Sequence, residues 1–205
     1  MTLEELEKHV QRMEDIQEIE YLQKIYGYYF EFGMMQEVVD LFSENAESVE
    51  ITDHGYFKGM AGVKKMYLDW FSGGQTRHKP VSGMNVCIMQ LQGVVEVAPD
   101  GRTATGRWNC FDFETRPYAG LSRNFWLQGY YENKYIKENG KWRFSKLYWN
   151  DTFWTPYDSG WLKTPLIGRM TYHETVKPDA PPTAFYPYPS GYRVPYSFKH
   201  PITGE

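Results

Sequence analysis

Between Asp15 and Phe42 the chain reads DIQEIEYLQKIYGYYFEFGMMQEVVDLF, and these residues constrain the fold most because they carry a long helical period with an aromatic face. Ile16, Ile19, Leu22 or Gln23, Tyr26, and Tyr29 or Phe30 recur at three- and four-residue steps, which places them on one side of an α-helix. Gly33 is the natural end of that helix, since glycine takes up the left-handed conformation of a helix cap without a Cβ penalty. Val38, Val39, Leu41 and Phe42 then read as a second, short amphipathic helix set at an angle to the first. Residues 1–14 read as a charged helix with few apolar positions, either an arm or the start of the main helix.

After Phe42 the period changes. Ala46 to Ile51 alternates as a strand, Thr52-Asp-His-Gly55 turns, and Tyr56 and Phe57 make a short return strand. A third helix opens at Gly59 and runs to Phe71, with Val63, Met66, Tyr67 and Trp70 on one face, until Gly73-Gly74 stops it. The rest is strand after strand: Val81–Val97, a turn at Ala98-Pro-Asp-Gly101, Thr103–Glu114, Asn124–Lys137, a hairpin turn at Asn139-Gly140, and Lys141–Asn150. Helices followed by a meander of long antiparallel strands predict an α+β layer in which the helices pack into a curved sheet.

Beyond Asp151 neither period survives. Nine of the 12 prolines lie from Pro156 onward, so this part cannot form a helix or a central strand. It is nevertheless rich in aromatics, among them Trp154, Trp161, Tyr186, Tyr192 and Tyr196, which predicts an extended segment ordered by packing on its own domain or on a neighbouring subunit. The expected organisation is a domain of residues 1–150 and an extension of residues 151–205.

Composition excludes some partners. A net charge of −4 with dispersed Lys and Arg offers no stripe for a nucleic acid backbone. No apolar run approaches the roughly 20 residues that cross a bilayer, and the acidic N-terminus MTLEELEKHV is unlike a signal peptide, so a cytoplasmic protein without membrane contact is expected. Cys87 and Cys110 fall in strands and read as small buried hydrophobes. His9, His173 and His200 show no ligand spacing, and no Gly-rich dinucleotide loop is present, so neither metal nor organic cofactor is expected. Aromatics make up 18% of residues, which suits a pocket for a flat, oxygenated molecule or large interfaces.

Tyr26-Gly-Tyr-Tyr-Phe-Glu-Phe-Gly33, Val39-Asp-Leu-Phe42, Gly55-Tyr-Phe-Lys-Gly59, Gly101 to Trp108 and Gly129 to Phe144 resemble the SnoaL-like domain of the nuclear-transport-factor-2-like superfamily. That resemblance implies a cone-shaped barrel of curved antiparallel sheet wrapped on two to three N-terminal helices, with a proline- and aromatic-rich C-terminal strap. It also implies a site in the mouth of the cone. By similarity to scytalone and bile-acid dehydratases, Tyr26 and Glu31 take the helix positions and His78, in Thr76-Arg-His-Lys-Pro80, takes the position of the catalytic histidine. The bland alternative for His78 is a surface residue beside Arg77 and Lys79. Asp112 is the fourth candidate, on the face shared by Ala104, Gly106, Trp108 and Cys110, and Asn109 replaces it if the strand slips by one residue. Tyr131 alternates with Asn133 and Tyr135 and is either a pocket residue or cross-strand packing. Phe30 stands where scytalone dehydratases carry tyrosine, and His54 is expected at the rim. Phe30, His54, Tyr56, Asn109 and Tyr131 are the expected substrate contacts.

The implied activity is a cofactor-independent lyase of dehydratase type acting on a bulky aromatic or polycyclic alcohol. His78 would be the base, Tyr26 the acid or donor, Glu31 the group that orients the histidine, and Asp112 a second polar contact. A narrower resemblance is to formaldehyde-releasing lyases of lignin-derived diaryl diols. The alternatives are a non-catalytic subunit of the kind found beside ring-hydroxylating dioxygenases, or an isomerase or cyclase of the same fold. Resemblance to scytalone dehydratase further implies a homo-oligomer, most simply a trimer.

Overall fold

Thr2 sets where the first helix begins. Its hydroxyl accepts the Glu5 N–H at 3.2 Å while the Glu5 carboxylate accepts the Thr2 N–H at 2.7 Å, a reciprocal cap that starts α1 at Leu3. The computed structural model describes residues 1–71, 83–118, 121–166 and 175–204. Helix α1 runs Leu3–Glu31, so the charged N-terminal residues and the aromatic stretch are one continuous helix. Gly33, at φ 64°, closes it: its N–H bonds the Phe30 carbonyl at 3.0 Å and the Met34 N–H bonds the Tyr29 carbonyl at 2.8 Å. Helix α2 follows at Met35–Asp40, and α3 at Gly59–Lys64 widens into a π-helical turn over Lys65–Phe71.

Six strands form one sheet: β1 Ser48–Ile51, β2 Gly55–Lys58, β3 Asn85–Val97, β4 Thr103–Tyr118, β5 Leu121–Glu138 and β6 Lys141–Pro156. Their order is β2-β1-β6-β5-β4-β3, so the sheet is open, with β2 and β3 as edges, and does not close into a barrel. The β1–β6 pairing is parallel and the rest are antiparallel. Strands β4, β5 and β6 exceed the expected spans, β6 continuing through residue 150 to Pro156, whereas β3 begins at Asn85, later than the expected Val81. Among the described residues no helix is long and apolar enough to cross a membrane.

Inner and outer faces follow the period of two. Ala104, Trp108, Cys110 and Asp112 of β4 are buried on the helix side, and Trp108 lies opposite Tyr131, which shares the inner face of β5 with Asn133 and Tyr135. Strand β6 breaks the rule twice. Lys134 pairs with Lys146 but Tyr135 with Phe144, leaving Ser145 as an extra residue, and a second shift follows at Thr152. Trp142 and Phe144 therefore point inward, then Leu147, Trp149 and Asp151, then Trp154. Leu147 and Trp149 both belong to the core, because the bulge shifts the phase by one residue.

The helices are pinned to this inner face by polar groups as well as by packing. Gln23 is fully buried, bonds Gln90, and its Oε1 accepts Tyr135 Oη at 2.8 Å and Asn133 Nδ2 at 2.9 Å. Both ends of the Gln23 amide are bonded, which makes this buried side chain an anchor instead of a cost. On the outer face, residues 179–199 cross the sheet from edge to edge. Tyr56 pairs with Ala180, Glu50 accepts Thr183 N–H at 2.6 Å, and Tyr188 N–H bonds the Thr152 carbonyl at 2.8 Å. Arg107, paired with Glu132, then donates to the Val194 carbonyl at 3.0 Å and lies between the rings of Tyr130 and Tyr196.

Candidate active site

The link between β1 and β2 is only three residues, Thr52 to His54, and its tightness places two polar groups. Gly55 ends it at φ 114°, a conformation that side chains rarely tolerate. Asp53 and His54 are 5% and 8% exposed, and the Asp53 carboxylate is hydrogen-bonded to His54 Nδ1. The imidazole packs on Trp70 and Phe71 of the π-helical turn, with centroids 4.9 and 5.5 Å away. Burial disfavours ionisation of Asp53, but the charge and hydrogen bond of His54 outweigh it and hold the carboxyl below its ordinary value.

Asp151 reaches the same place from β6, because β1 and β6 run side by side up to the Ile51–Trp149 pair. Its Oδ1 accepts Trp149 Nε1 at 2.7 Å, its Oδ2 accepts the Thr52 hydroxyl at 3.2 Å, and its carboxyl is hydrogen-bonded to that of Asp53. Burial, reinforced by the negative Asp53, pushes the Asp151 pKa well above its ordinary value.

Three tyrosines supply the opposite chemistry. Tyr26 from α1 and Tyr67 from the π-helical turn have their hydroxyls 3.1 Å apart, and Tyr131 from β5 is hydrogen-bonded to Tyr26 with its ring at 5.9 Å, edge to face. Burial raises the Tyr26 pKa to about 12 and those of Tyr67 and Tyr131 well above ordinary. At neutral pH all three stay protonated and act as hydrogen-bond donors, not bases. Asp112 and Glu114 enter from β4, where Glu114 accepts Trp154 Nε1 at 3.1 Å. Cys110 shares their face of β4; burial and the nearby acidic groups, Asp112 first among them, raise its pKa and keep it a thiol.

These groups, with the exception of Tyr67 behind Tyr26, line one cavity of about 80 Å³ that is open to solvent. Of the expected site residues, Tyr26, Phe30, His54, Asp112 and Tyr131 line it together. His54 is therefore inside the pocket and not a rim residue. Glu31 is elsewhere: its carboxylate accepts the Ile88 N–H at 2.5 Å, with burial raising its pKa. Asn109 is on the outer face, between Gln92 and Gln128, since Cys110 and Asp112 take the inner one. Tyr56 does not line the cavity, and its backbone pairs with Ala180. His78, with Thr76 to Pro80, lies outside the described residues. Sequence reasoning missed Asp53, Asp151, Glu114 and Tyr67, although Tyr67 was on the expected inward face of its helix. Among the described residues no group of three or more His, Cys, Asp or Glu side chains is placed to hold a metal ion.

Residues 11–148, from α1 into β6, match the sequence profile of the SnoaL-like domain. The chain belongs to the SnoaL-like domain family. This SnoaL-like protein shares its fold with a scytalone dehydratase candidate from Novosphingobium aromaticivorans DSM 12444 at 18% identity and TM-score 0.59, covering 79% of this chain and 99% of that one. It is also similar to a type 2 hexachlorocyclohexane dehydrochlorinase, LinA, at 15% identity and TM-score 0.59, covering 72% and 92%. A third likeness is to an aromatic ring hydroxylase candidate from Novosphingobium aromaticivorans at 16% identity and TM-score 0.54, covering 70% and 94%. No curated protein matches the sequence significantly.

Proposed function

We propose that this SnoaL-like protein is a lyase that carries out an elimination on an aromatic alcohol, using side chains alone as acid and base. The observation that carries this reading is that a histidine–carboxylate pair and protonated tyrosine hydroxyls line one aromatic-walled cavity. With Nδ1–H held by Asp53, the neutral ring carries its lone pair on Nε2, so His54 is suited to take a proton from a bound molecule. Tyr26 or Tyr131 donates to the departing oxygen. Phe30, Phe71, Trp149 and Trp154 line the cavity and offer faces for an aryl ring. The names borne by the similar structures, a dehydratase and a dehydrochlorinase, support elimination as the reaction class.

The narrower form is release of formaldehyde from a diaryl propanediol. A base takes the hydroxymethyl proton, the carbon–carbon bond breaks to give formaldehyde, and the neighbouring carbinol loses its hydroxyl as water, leaving a stilbene. The test is incubation with a 1,2-diarylpropane-1,3-diol and with simpler aryl alcohols, following stilbene absorbance and formaldehyde. His54→Ala should reduce turnover by about 10²–10⁴-fold. His78→Ala is the second arm: if it alone abolishes turnover and His54→Ala stays within a few-fold of wild type, the base is His78 and the assignment of His54 is wrong. The likeness to a ring hydroxylase candidate favours a second reading, a non-catalytic subunit. Such a subunit needs no acid–base groups in its cavity, and it would co-purify with an iron–sulfur partner and turn over none of these alcohols.

A further inference from the structure

The link that carries Asp53 and His54 is short, and within it the Asp53 carboxyl is bonded by its own backbone N–H and by His54 Nδ1. That carboxyl meets Asp151, which is itself held from several sides. Trp149 Nε1 donates to Oδ1 at 2.7 Å, the Thr52 hydroxyl donates to Oδ2 at 3.2 Å, and the Asp151 N–H bonds Thr52 Oγ1 at 3.0 Å. The Thr52 N–H bonds the Trp149 carbonyl at 3.0 Å, so the turn is tied to β6 through backbone as well. Asp151 is 2% exposed. Two carboxyl groups in hydrogen-bond contact at such a buried place must share a proton, because two ionised ones would repel. Asp53 is the one that faces His54 and keeps its charge; the proton falls to Asp151.

We propose that Asp151 is a positioning residue: its carboxyl keeps a proton at neutral pH and donates it in a hydrogen bond to Asp53, which holds that carboxylate against His54 Nδ1. The raised pKa that burial and Asp53 impose on Asp151 agrees with this assignment. The arrangement explains why a carboxyl group is tolerated beside Asp53 in a pocket wall. Neutral, it is a donor that a second carboxylate could not be. Its importance for turnover rests on the reading of His54 as the base, whereas the hydrogen bond itself belongs to the free protein.

The experiment uses the full chain with ¹⁵N-labelled histidine, and the His54 signals are assigned by their loss in His54→Gln. Wild type should show a strongly deshielded, exchange-protected His54 Nδ1–H. Asp151→Ala should lose it, and Asp151→Asn, whose amide can donate to Asp53, should restore it. A signal unchanged in Asp151→Ala, or absent from Asp151→Asn, overturns the proposal. Should Asp151→Ala fail to fold, the infrared difference between wild type and Asp151→Asn at neutral pH decides: a protonated-carboxyl C=O band in wild type alone supports the proposal, and its absence overturns it. With a diaryl propanediol as probe, Asp151→Ala should lower turnover about 10–100-fold, by analogy with the loss when the carboxylate partners of metal-bound histidines are removed, and Asp151→Asn should recover most of that loss. Failure to turn over any diol with the histidine signals as expected would sink the lyase reading and leave the positioning role standing; the reverse outcome would do the opposite.

Discussion

Asp15 is 2% exposed and accepts Lys137 Nζ at 2.6 Å and Trp142 Nε1 at 2.9 Å. Burial alone would raise its pKa, but these bonds and the lysine charge prevail, and the carboxyl lies below its ordinary value. The folded state therefore binds fewer protons than the unfolded one once the unfolded carboxyl begins to protonate, and the stabilisation present above the ordinary carboxylate value is lost as pH falls through the depressed one. Asp15→Asn should lower the melting temperature at pH 7 and flatten the loss of stability between about pH 5 and pH 3. Parallel melting curves for variant and wild type across that range would show that Asp15 is not a source of the acid sensitivity. Arg107 does comparable work on the outer face, since its two carbonyl contacts and two ring contacts gather β4, β5 and the strap at a single guanidinium.

At the scale of elements, β6 decides the site, and its two bulges are what make one strand serve three phases. Deleting Ser145 would remove the first bulge and turn Leu147, Trp149 and Asp151 toward the outer face. Loss of burial for the two large apolar side chains alone would cost about 1.5–3 kcal/mol each, a large share of the roughly 5–15 kcal/mol by which a domain is stable. The deletion should abolish a cooperative thermal transition while Ser145→Ala keeps it; a deletion variant melting within a few degrees of wild type would refute this account of the strand. The same bulges explain what could be read from the sequence. Tyr26, Phe30, Asp112 and Tyr131 follow unbroken periods of 3.6 or 2, so pattern and resemblance together found them. Asp53 and His54 sit in a turn, where no period assigns a face, and Asp151 lies past a bulge that reverses the count. Their meeting depends on a parallel pairing between β1 and β6 that no local signal announces.

For the whole molecule, the strap covers the outer face only in part. Tyr148 and Asn150 reach the Ala184 carbonyl, both at 3.4 Å, whereas the far end of the same face keeps Phe113, Tyr157 and Trp161 exposed at 39%, 63% and 47%. Trp126 stacks on Tyr157 and Phe153 on Trp161, so the uncovered end is a contiguous aromatic surface. We expect a homo-oligomer, most simply a trimer, packed through this surface, with light scattering at micromolar concentration as the check. A monomer there would rule it out, and Trp161→Glu should dissociate the assembly if it is right. Truncation after Val176 removes the strap but leaves the cavity residues in place. It should lower the melting temperature by uncovering Glu50, Tyr148 and Asn150 while the His54 imidazole signals persist; loss of those signals would mean that the strap shapes the cavity.

The bond from the Thr52 hydroxyl to Asp151 joins residues 99 positions apart. Contacts of such separation are slow to form, because the chain between them must be closed before they return any stabilisation. During synthesis α1 to α3, β1 and β2 emerge well before β6, so the pair formed by Asp53 and His54 is made long before Asp151 can join it. When β6 docks, what remains to be made is the strap, which closes over a sheet already complete. An interrupted product ending before β6 would hold every tyrosine of the cavity together with Asp53 and His54, but without the carboxyl of Asp151 beside them.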